Sequence, residues 1–296
     1  LIDQELREHL GLASRPAWRP YLMGVVNATP DSFSDSPGFK PVDERRALAE
    51  RLIAEGADII DIGGESGITN KPAVAVEEEI ERVVPVIEAV AALAGAVVSV
   101  DTYKPAVARA ALAAGARIVN DVSGLADDEL AKVAAEGDAA LVLMHTRAAP
   151  KVKAFPRYDD VVADVVEFLA DAIERAERAG LSRARTIVDP GPDFAKTPAQ
   201  TIEVLRRLEA LAPLGRPVLL AAGRKDFIGA LTGRAPRERD AGTLAALAAG
   251  VERGVAFARV HDVAAAADFL TVRAALAGEL AVDDELMLDD ALRRVD

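Results

Sequence analysis

A short run of aliphatic and β-branched residues, a turn carrying polar or glycine residues, and an Ala/Leu/Glu/Arg stretch at helical spacing recur eight times along this chain of 296 residues. That alternation predicts parallel strands joined by helical crossovers. Strands are predicted over 22–26, 58–62, 97–100, 117–119, 140–143, 186–188, 217–220 and 257–260. Helices are predicted over 43–55, 76–93, 105–114, 127–135, 159–179, 198–208, a stretch over 226–250 broken at Gly233, and 263–277. Eight strands with eight crossovers close into a (β/α)8 TIM barrel, whereas an open doubly wound sheet usually has fewer strands. The fold class is therefore α/β. We divide the chain into an N-terminal extension over 1–20, a barrel over 21–277 and an acidic tail over 278–296, read as a packing helix from Leu288 and Leu292 at helical spacing.

Composition narrows the function. Lys plus Arg number 35 against 48 Asp plus Glu, a formal charge of −13, which argues against a nucleic-acid partner. Much of the acidic excess falls on predicted helices and the tail, so a mouth of opposite sign at the strand ends is expected. There is no cysteine, which removes disulfides and thiolate chemistry and suits a reducing cytoplasm. No stretch reads as a signal peptide. The most apolar run, 83–100, is interrupted by Glu88 and Gly95, so no membrane span is expected.

The predicted strands are almost wholly apolar, and polar residues stand at or just after their C-terminal ends: Asn27, Asp61 with Gly63 and Gly64, Asp101, Asn120, His145, Asp189, Arg224 with Lys225, and Arg259 with His261. In a barrel these ends meet on one face. Asp101, Asn120 and Asp189 there are poorly solvated and need donors or cations, which Lys225 and Arg259 are placed to supply. Carboxylates, an amide and a lysine together suit a flat heterocycle with donor and acceptor edges. Arg259 and His261, with Gly223-Arg224-Lys225 on the preceding strand, suit an anion near strands seven and eight. His145, among apolar neighbours, reads as a packed core residue. No Walker loop, HExxH helix or nucleophile elbow is present. A magnesium ion held by Asn27 and a phosphate is compatible, since this cation keeps few protein ligands. The segment from Asn27 to Asp35 reads as a long loop over the mouth, either a lid or a solvated turn organised by Asp31 and Asp35.

The motifs Asn27-Ala28-Thr29-Pro30-Asp31-Ser32-Phe33-Ser34-Asp35, Asp61-Ile62-Gly63-Gly64-Glu65-Ser66, Ser99-Val100-Asp101-Thr102, Asn120-Asp121-Val122-Ser123-Gly124, Met144-His145-Thr146-Arg147, Asp189-Pro190-Gly191 with Phe194 and Lys196, Arg224-Lys225, and Arg259-Val260-His261-Asp262 follow in order. In them the chain resembles the dihydropteroate synthase family of pterin-binding barrels. The resemblance implies condensation of a dihydropterin-CH2-diphosphate with p-aminobenzoate, release of diphosphate, a requirement for magnesium, and a homodimer. It implies that Asp101, Asn120, Asp189 and Lys225 bind the pterin, that Met144 and Phe194 line the substrate site, and that Asn27, Arg259 and His261 hold diphosphate and magnesium. Lys225, Arg259, His261 and Asp101 would carry the catalysis, by electrostatic stabilisation of the leaving group and positioning rather than through a covalent nucleophile.

Two departures stand out. Ile68 occupies the position of an arginine, with Lys71 nearby as a substitute cation, and Asp226 follows Arg224-Lys225 where a serine is usual, with Gly223 replacing another serine. In the family that serine and the helix start receive the p-aminobenzoate carboxylate. Two like charges about 4 Å apart repel by roughly 4 kcal/mol at an effective dielectric near 20, so Asp226 is expected to weaken p-aminobenzoate binding. A different arylamine, for which Arg147, Lys151 and Lys153 could be a docking patch rather than a solvated run, and a non-catalytic pterin-binding paralogue are the alternatives. A pterin-dependent methyltransferase is disfavoured by the Thr-Pro-Asp-Ser-Phe and Arg-Val-His segments.

Overall fold

The computed structural model describes residues 2–29, 42–66 and 72–293. The strands are β1 (Tyr21–Asn27), β2 (Ile59–Gly63), β3 (Val97–Asp101), β4 (Ile118–Asp121), β5 (Ala140–Met144), β6 (Thr186–Asp189), β7 (Leu219–Leu220) and β8 (Phe257–Val260). The helices are α1 (Gln4–Leu10), α2 (Val42–Ala54), α3 (Val76–Ala91), α4 (Pro105–Ala113), α5 (Glu129–Glu136), α6 (Val161–Arg178), α7 (Pro198–Arg206), α8 (Asp226–Thr232), α9 (Asp240–Glu252) and α10 (Val263–Leu276). Neighbouring strands are parallel in the order β6-β5-β4-β3-β2-β1-β8-β7. A parallel bridge between Val188 and Val218 closes the ring. The (β/α)8 barrel expected from the alternation is thus present, with β7 its shortest strand.

Local chemistry sets the helix starts. Asp160 accepts from the Val162 and Ala163 N–H groups ahead of α6, Thr197 and Gln200 form a reciprocal capping box with Pro198 as the first residue of α7, and Asp262 accepts from Ala265 ahead of α10. The expected break at Gly233 is real. This residue adopts φ 70°, ending α8 before α9 begins.

The inward face of the barrel is filled low down by Tyr21, Met23, Ile59, Val97, Ile118, Val142, Ile187, Leu219 and Phe257. Leu6, Leu10 and Leu12 join this cluster, so the N-terminal extension closes the floor rather than hanging beside the barrel. With the bottom plugged by apolar side chains, the polar ends of the strands are left for the opposite mouth. The tail differs from expectation. Its described part holds only one 3-10 turn, Asp290–Leu292, and Leu286, Met287, Leu288 and Leu292 are exposed. Asp283, Asp284, Asp289 and Asp290 favour turns over helix interiors, and the apolar residues gain no packing to offset that. Among the described residues no helix is long and apolar enough to cross a membrane.

Candidate active site

β1, β3, β4, β6 and β8 carry Asn27, Asp101, Asn120, Asp189 and Arg259 at their last or penultimate position and β2 carries Asp61 at its middle, so these side chains belong to the barrel wall. In register, Asn27 neighbours Gly63, Gly63 neighbours Asp101, and Asp101 neighbours Asn120. On the other side Met144 neighbours Asp189. Residues scattered from Asn27 to Asp189 are thereby set in one ring.

Arg259 is the centre of this ring. Its Nε donates to Asp61 Oδ2 at 2.7 Å and its Nη2 to Asp101 Oδ2 at 2.9 Å. Asn120 Nδ2 donates to the same Asp61 oxygen at 3.2 Å. Asp61 is fully buried, and its Oδ1 has no hydrogen-bond partner among the described residues. Burial pushes the Asp101 carboxyl up to about 7, even with the Arg259 guanidinium beside it. Asp189 is buried and accepts from the Gly191 N–H at 2.7 Å, and burial raises its pKa as well. Burial lowers the pKa of Lys225, whose ammonium lies 4.4 Å from the centre of the Phe194 ring and makes no hydrogen bond or ion pair with the described residues. An unpaired ammonium and half-satisfied carboxylates facing one mouth are groups prepared for a ligand that completes them.

His261 lies on the rim, with desolvation first and then Arg259, Arg224 and Lys225 lowering its pKa. A Cβ on Gly223 would come 2.9 Å from its Nδ1, so the glycine here is what lets the imidazole lie back against β7. Asn27 is exposed at the end of β1, its backbone carbonyl accepting from Arg45 Nε at 3.1 Å. Met144 is buried in the wall. The structure thus brings together Asp101, Asn120, Met144, Asp189, Phe194, Lys225 and Arg259, with Asn27 and His261 on the rim. Asp31, Asp35, Ile68 and Lys71 lie outside the described residues.

Three expectations change. Arg224 is held by Asp240 through two hydrogen bonds, at 2.8 and 3.0 Å, and Arg147 by Asp164, at 3.0 and 2.9 Å, so neither is free for an anion and the mouth is less cationic than expected. His145 is buried, as expected, but it belongs to a polar chain: its Nδ1 lies 2.6 Å from Lys196 Nζ and its Nε2 2.8 Å from Asp164. Asp226, expected to repel the p-aminobenzoate carboxylate, is the first residue of α8. Its side chain is 72% exposed and accepts from Arg239 Nη1 at 3.0 Å. Water and that guanidinium screen the charge, and the expected repulsion shrinks accordingly.

The sequence reading gave no role to Asp61, Asp193 or Arg239. The strand-end pattern places Asp61 at the mouth, two residues before Gly63 and so on the same inward face, but names no partner for it. Asp193, at φ 67°, accepts from the Phe227 N–H at 3.2 Å and ties the segment after β6 to α8. Arg239 also donates to the Arg224 and Lys225 carbonyls at 3.0 and 3.1 Å. No local pattern marks either residue, because their partners lie far along the chain.

A closed (β/α)8 barrel with buried carboxylates, an amide and a desolvated lysine converging on one mouth defines the class of heterocycle-binding barrel enzymes. The family described as pterin binding enzyme matches residues 23–261. Dihydropteroate synthase of Bacillus subtilis is 43% identical over 243 residues, covering 82% of this chain and 83% of the relative. The structure of Xanthomonas albilineans dihydropteroate synthase with 4-aminobenzoic acid superposes with a TM-score of 0.82 at 47% identity, over 88% of this chain and 93% of that one. The same enzyme in complex with 7,8-dihydropteroate gives 0.80 at 46% identity, over 89% and 95%. The chain belongs to the dihydropteroate synthase family of pterin-binding enzymes.

Proposed function

We propose that this chain is a transferase that condenses dihydropterin-CH2-diphosphate with p-aminobenzoate to give dihydropteroate and diphosphate, a step of folate biosynthesis. The observation that carries this is the set Asp101, Asn120, Asp189 and Lys225 around Arg259, donors and acceptors matched to the edge of a pterin and left incompletely satisfied without one. Asp101, Asn120 and Asp189 fix the heterocycle in plane, while Met144 and Phe194 supply apolar and aromatic surface. Lys225, Arg259 and His261 stabilise negative charge as the carbon–oxygen bond to diphosphate breaks, and the arylamine nitrogen attacks the carbon left behind. No described side chain is placed as a covalent nucleophile, so positioning and electrostatics account for the rate.

Magnesium fits the residues present. Asn27 offers an exposed side-chain amide that makes no hydrogen bond with the described residues, a hard oxygen donor of the kind this cation accepts alongside phosphate oxygens and water. Bound there, it would neutralise charge on the departing diphosphate. A homodimer is supported by α9 and α10, which are apolar around most of their circumference, and by exposed Val272 and Leu276 on α10. A cytoplasmic location is supported by the absence of cysteine.

Diphosphate release from the pterin diphosphate and p-aminobenzoate tests the reading, with magnesium added and withheld. Asp189→Ala should abolish pterin binding, and retained affinity counts against the assignment.

A further inference from the structure

Lys151 stands in the segment between β5 and α6, and its backbone lies at φ 66°, where a side chain with a Cβ is disfavoured. Such a conformation persists only when surrounding contacts impose it. Here the imposed contact is made by the ammonium of a side chain 13% exposed, which donates to the Ser66 carbonyl at 2.6 Å and lies 3.5 Å from Glu65 Oε1. The bond spans 85 residues and joins the segment after β5 to the one after β2.

Glu65 is the hub on the far side. Its Oε2 accepts from the Val74 N–H and from Lys104 Nζ, both at 2.8 Å, and its Oε1 from the Tyr103 hydroxyl at 3.1 Å. Lys104 also donates to the Val74 carbonyl at 2.6 Å and to Glu79 at 2.5 Å. Burial alone would raise the Glu65 pKa, and these donors hold it below its usual value. The two ends of the β2–α3 connection are therefore fixed separately, Val74 by Glu65 and Lys104, Ser66 by Lys151. Gly63, three residues before Ser66, sits in register between Asn27 and Asp101. The end that Lys151 holds thus rises directly from the row of mouth residues.

We propose that Lys151 is a positioning residue for the arylamine: by fixing Ser66 it sets the wall past which the amine approaches a pterin held on Asp101, Asn120 and Asp189. This rests on the function proposed above. The arylamine is the substrate affected because Asp101, Asn120 and Asp189 stand on β3, β4 and β6, whereas the Lys151 ammonium contacts Glu65 and Ser66, beyond the end of β2. Glu65 keeps Lys104 when Lys151 is lost, so placement suffers more than folding does.

Steady-state kinetics for both substrates, with thermal unfolding alongside, should be measured for wild type, Lys151→Met, Lys151→Arg and Lys151→Gly. Loss of one charge-assisted bond predicts an arylamine KM raised about tenfold in the Met and Gly variants, with kcat and the pterin KM nearly unchanged and most of the effect recovered in Lys151→Arg. Lys151→Gly relieves the backbone and should unfold at a higher temperature than Lys151→Met while showing the same KM. Wild-type turnover with an unmoved arylamine KM in Lys151→Met, or a KM that follows unfolding temperature instead of the ammonium, overturns the positioning role and leaves the functional reading intact. Absence of wild-type turnover overturns the functional reading and the role with it.

Discussion

Arg259 donates to Asp61 at 2.7 Å, joining the eighth strand to the second across the barrel mouth. The second hydrogen bond, to Asp101, brings in the third strand, and Asn120 reaches Asp61 from the fourth. One guanidinium therefore organises the acceptors expected to read the pterin, and its charge is spent mainly on buried carboxylates until a substrate arrives. Planar geometry is what permits this: a lysine ammonium at the same place would be a point charge without the fork.

Asp61→Asn tests that organisation. Removing one partner of a buried charge pair typically costs about 3–5 kcal/mol, and the partly exposed Arg259 places this pair toward the lower end. Urea unfolding should show the loss, and pterin affinity should fall with it, although Asp61 is not among the residues expected to touch the pterin edge directly. Wild-type stability and affinity in this variant would show that Asp101 alone positions Arg259.

The barrel was legible because its signal is periodic and repeated: apolar strands, polar strand ends and helix formers each recur, and errors at one element do not disturb the count. The ring residues were legible for the same reason, since position at a strand end predicts convergence. What escaped the sequence were contacts made between connections. Arg224 and Arg147 read as free cations until Asp240 and Asp164, sixteen and seventeen residues away, were seen to hold them. Asp226 was judged by its neighbour in sequence, whereas its environment is set by water and Arg239. The tail was read from two leucines at helical spacing, a pattern too short to outweigh its aspartates.

Asp226→Ser should accordingly change p-aminobenzoate KM by less than about threefold, because the charge it removes is exposed and already paired. Arg239→Met is the more damaging change. It leaves Asp226 without its partner and the Arg224 carbonyl without a donor, and leaves the Lys225 carbonyl only the backbone donors of α8, loosening the segment that presents the Lys225 ammonium. Steady-state kinetics on both variants decide the matter; a large gain from Asp226→Ser would restore the repulsion that the sequence alone suggested.

Asp101 makes pterin binding and stability respond to pH in opposite directions. Its folded pKa, about 7, lies above the unfolded value near 3.9. The folded protein therefore binds the extra proton between these values, and the stabilising contribution is full below about 4 and is lost as pH rises through 7. Binding that uses the ionised carboxylate as an acceptor gains over the same interval. A titration of pterin affinity should show an inflection near pH 7 that disappears in Asp101→Asn, and an inflection that persists in that variant would assign it to another group.

Lys196 is the buried counterpart of Lys225. It is 1% exposed, and its ammonium is shared among His145 Nδ1 at 2.6 Å and the Gly191, Phe194 and His145 carbonyls at 3.0, 3.1 and 3.3 Å. Those acceptors pin the segment that follows Asp189 and carries Phe194, the ring beneath the Lys225 ammonium. With Nδ1 accepting, His145 donates from Nε2 to Asp164 as a neutral imidazole, consistent with burial and then Lys196 pushing its pKa down to about 4. Lys196→Met strands one ring nitrogen and the His145 and Phe194 carbonyls, while the Gly191 carbonyl keeps the Phe194 N–H, which should cost roughly 3 kcal/mol. Thermal unfolding measures that loss, and kinetics at a temperature where the variant remains folded measure the rest: with Phe194 unseated, KM for the substrates should rise. A variant that melts early yet keeps wild-type KM values would confine Lys196 to holding the fold.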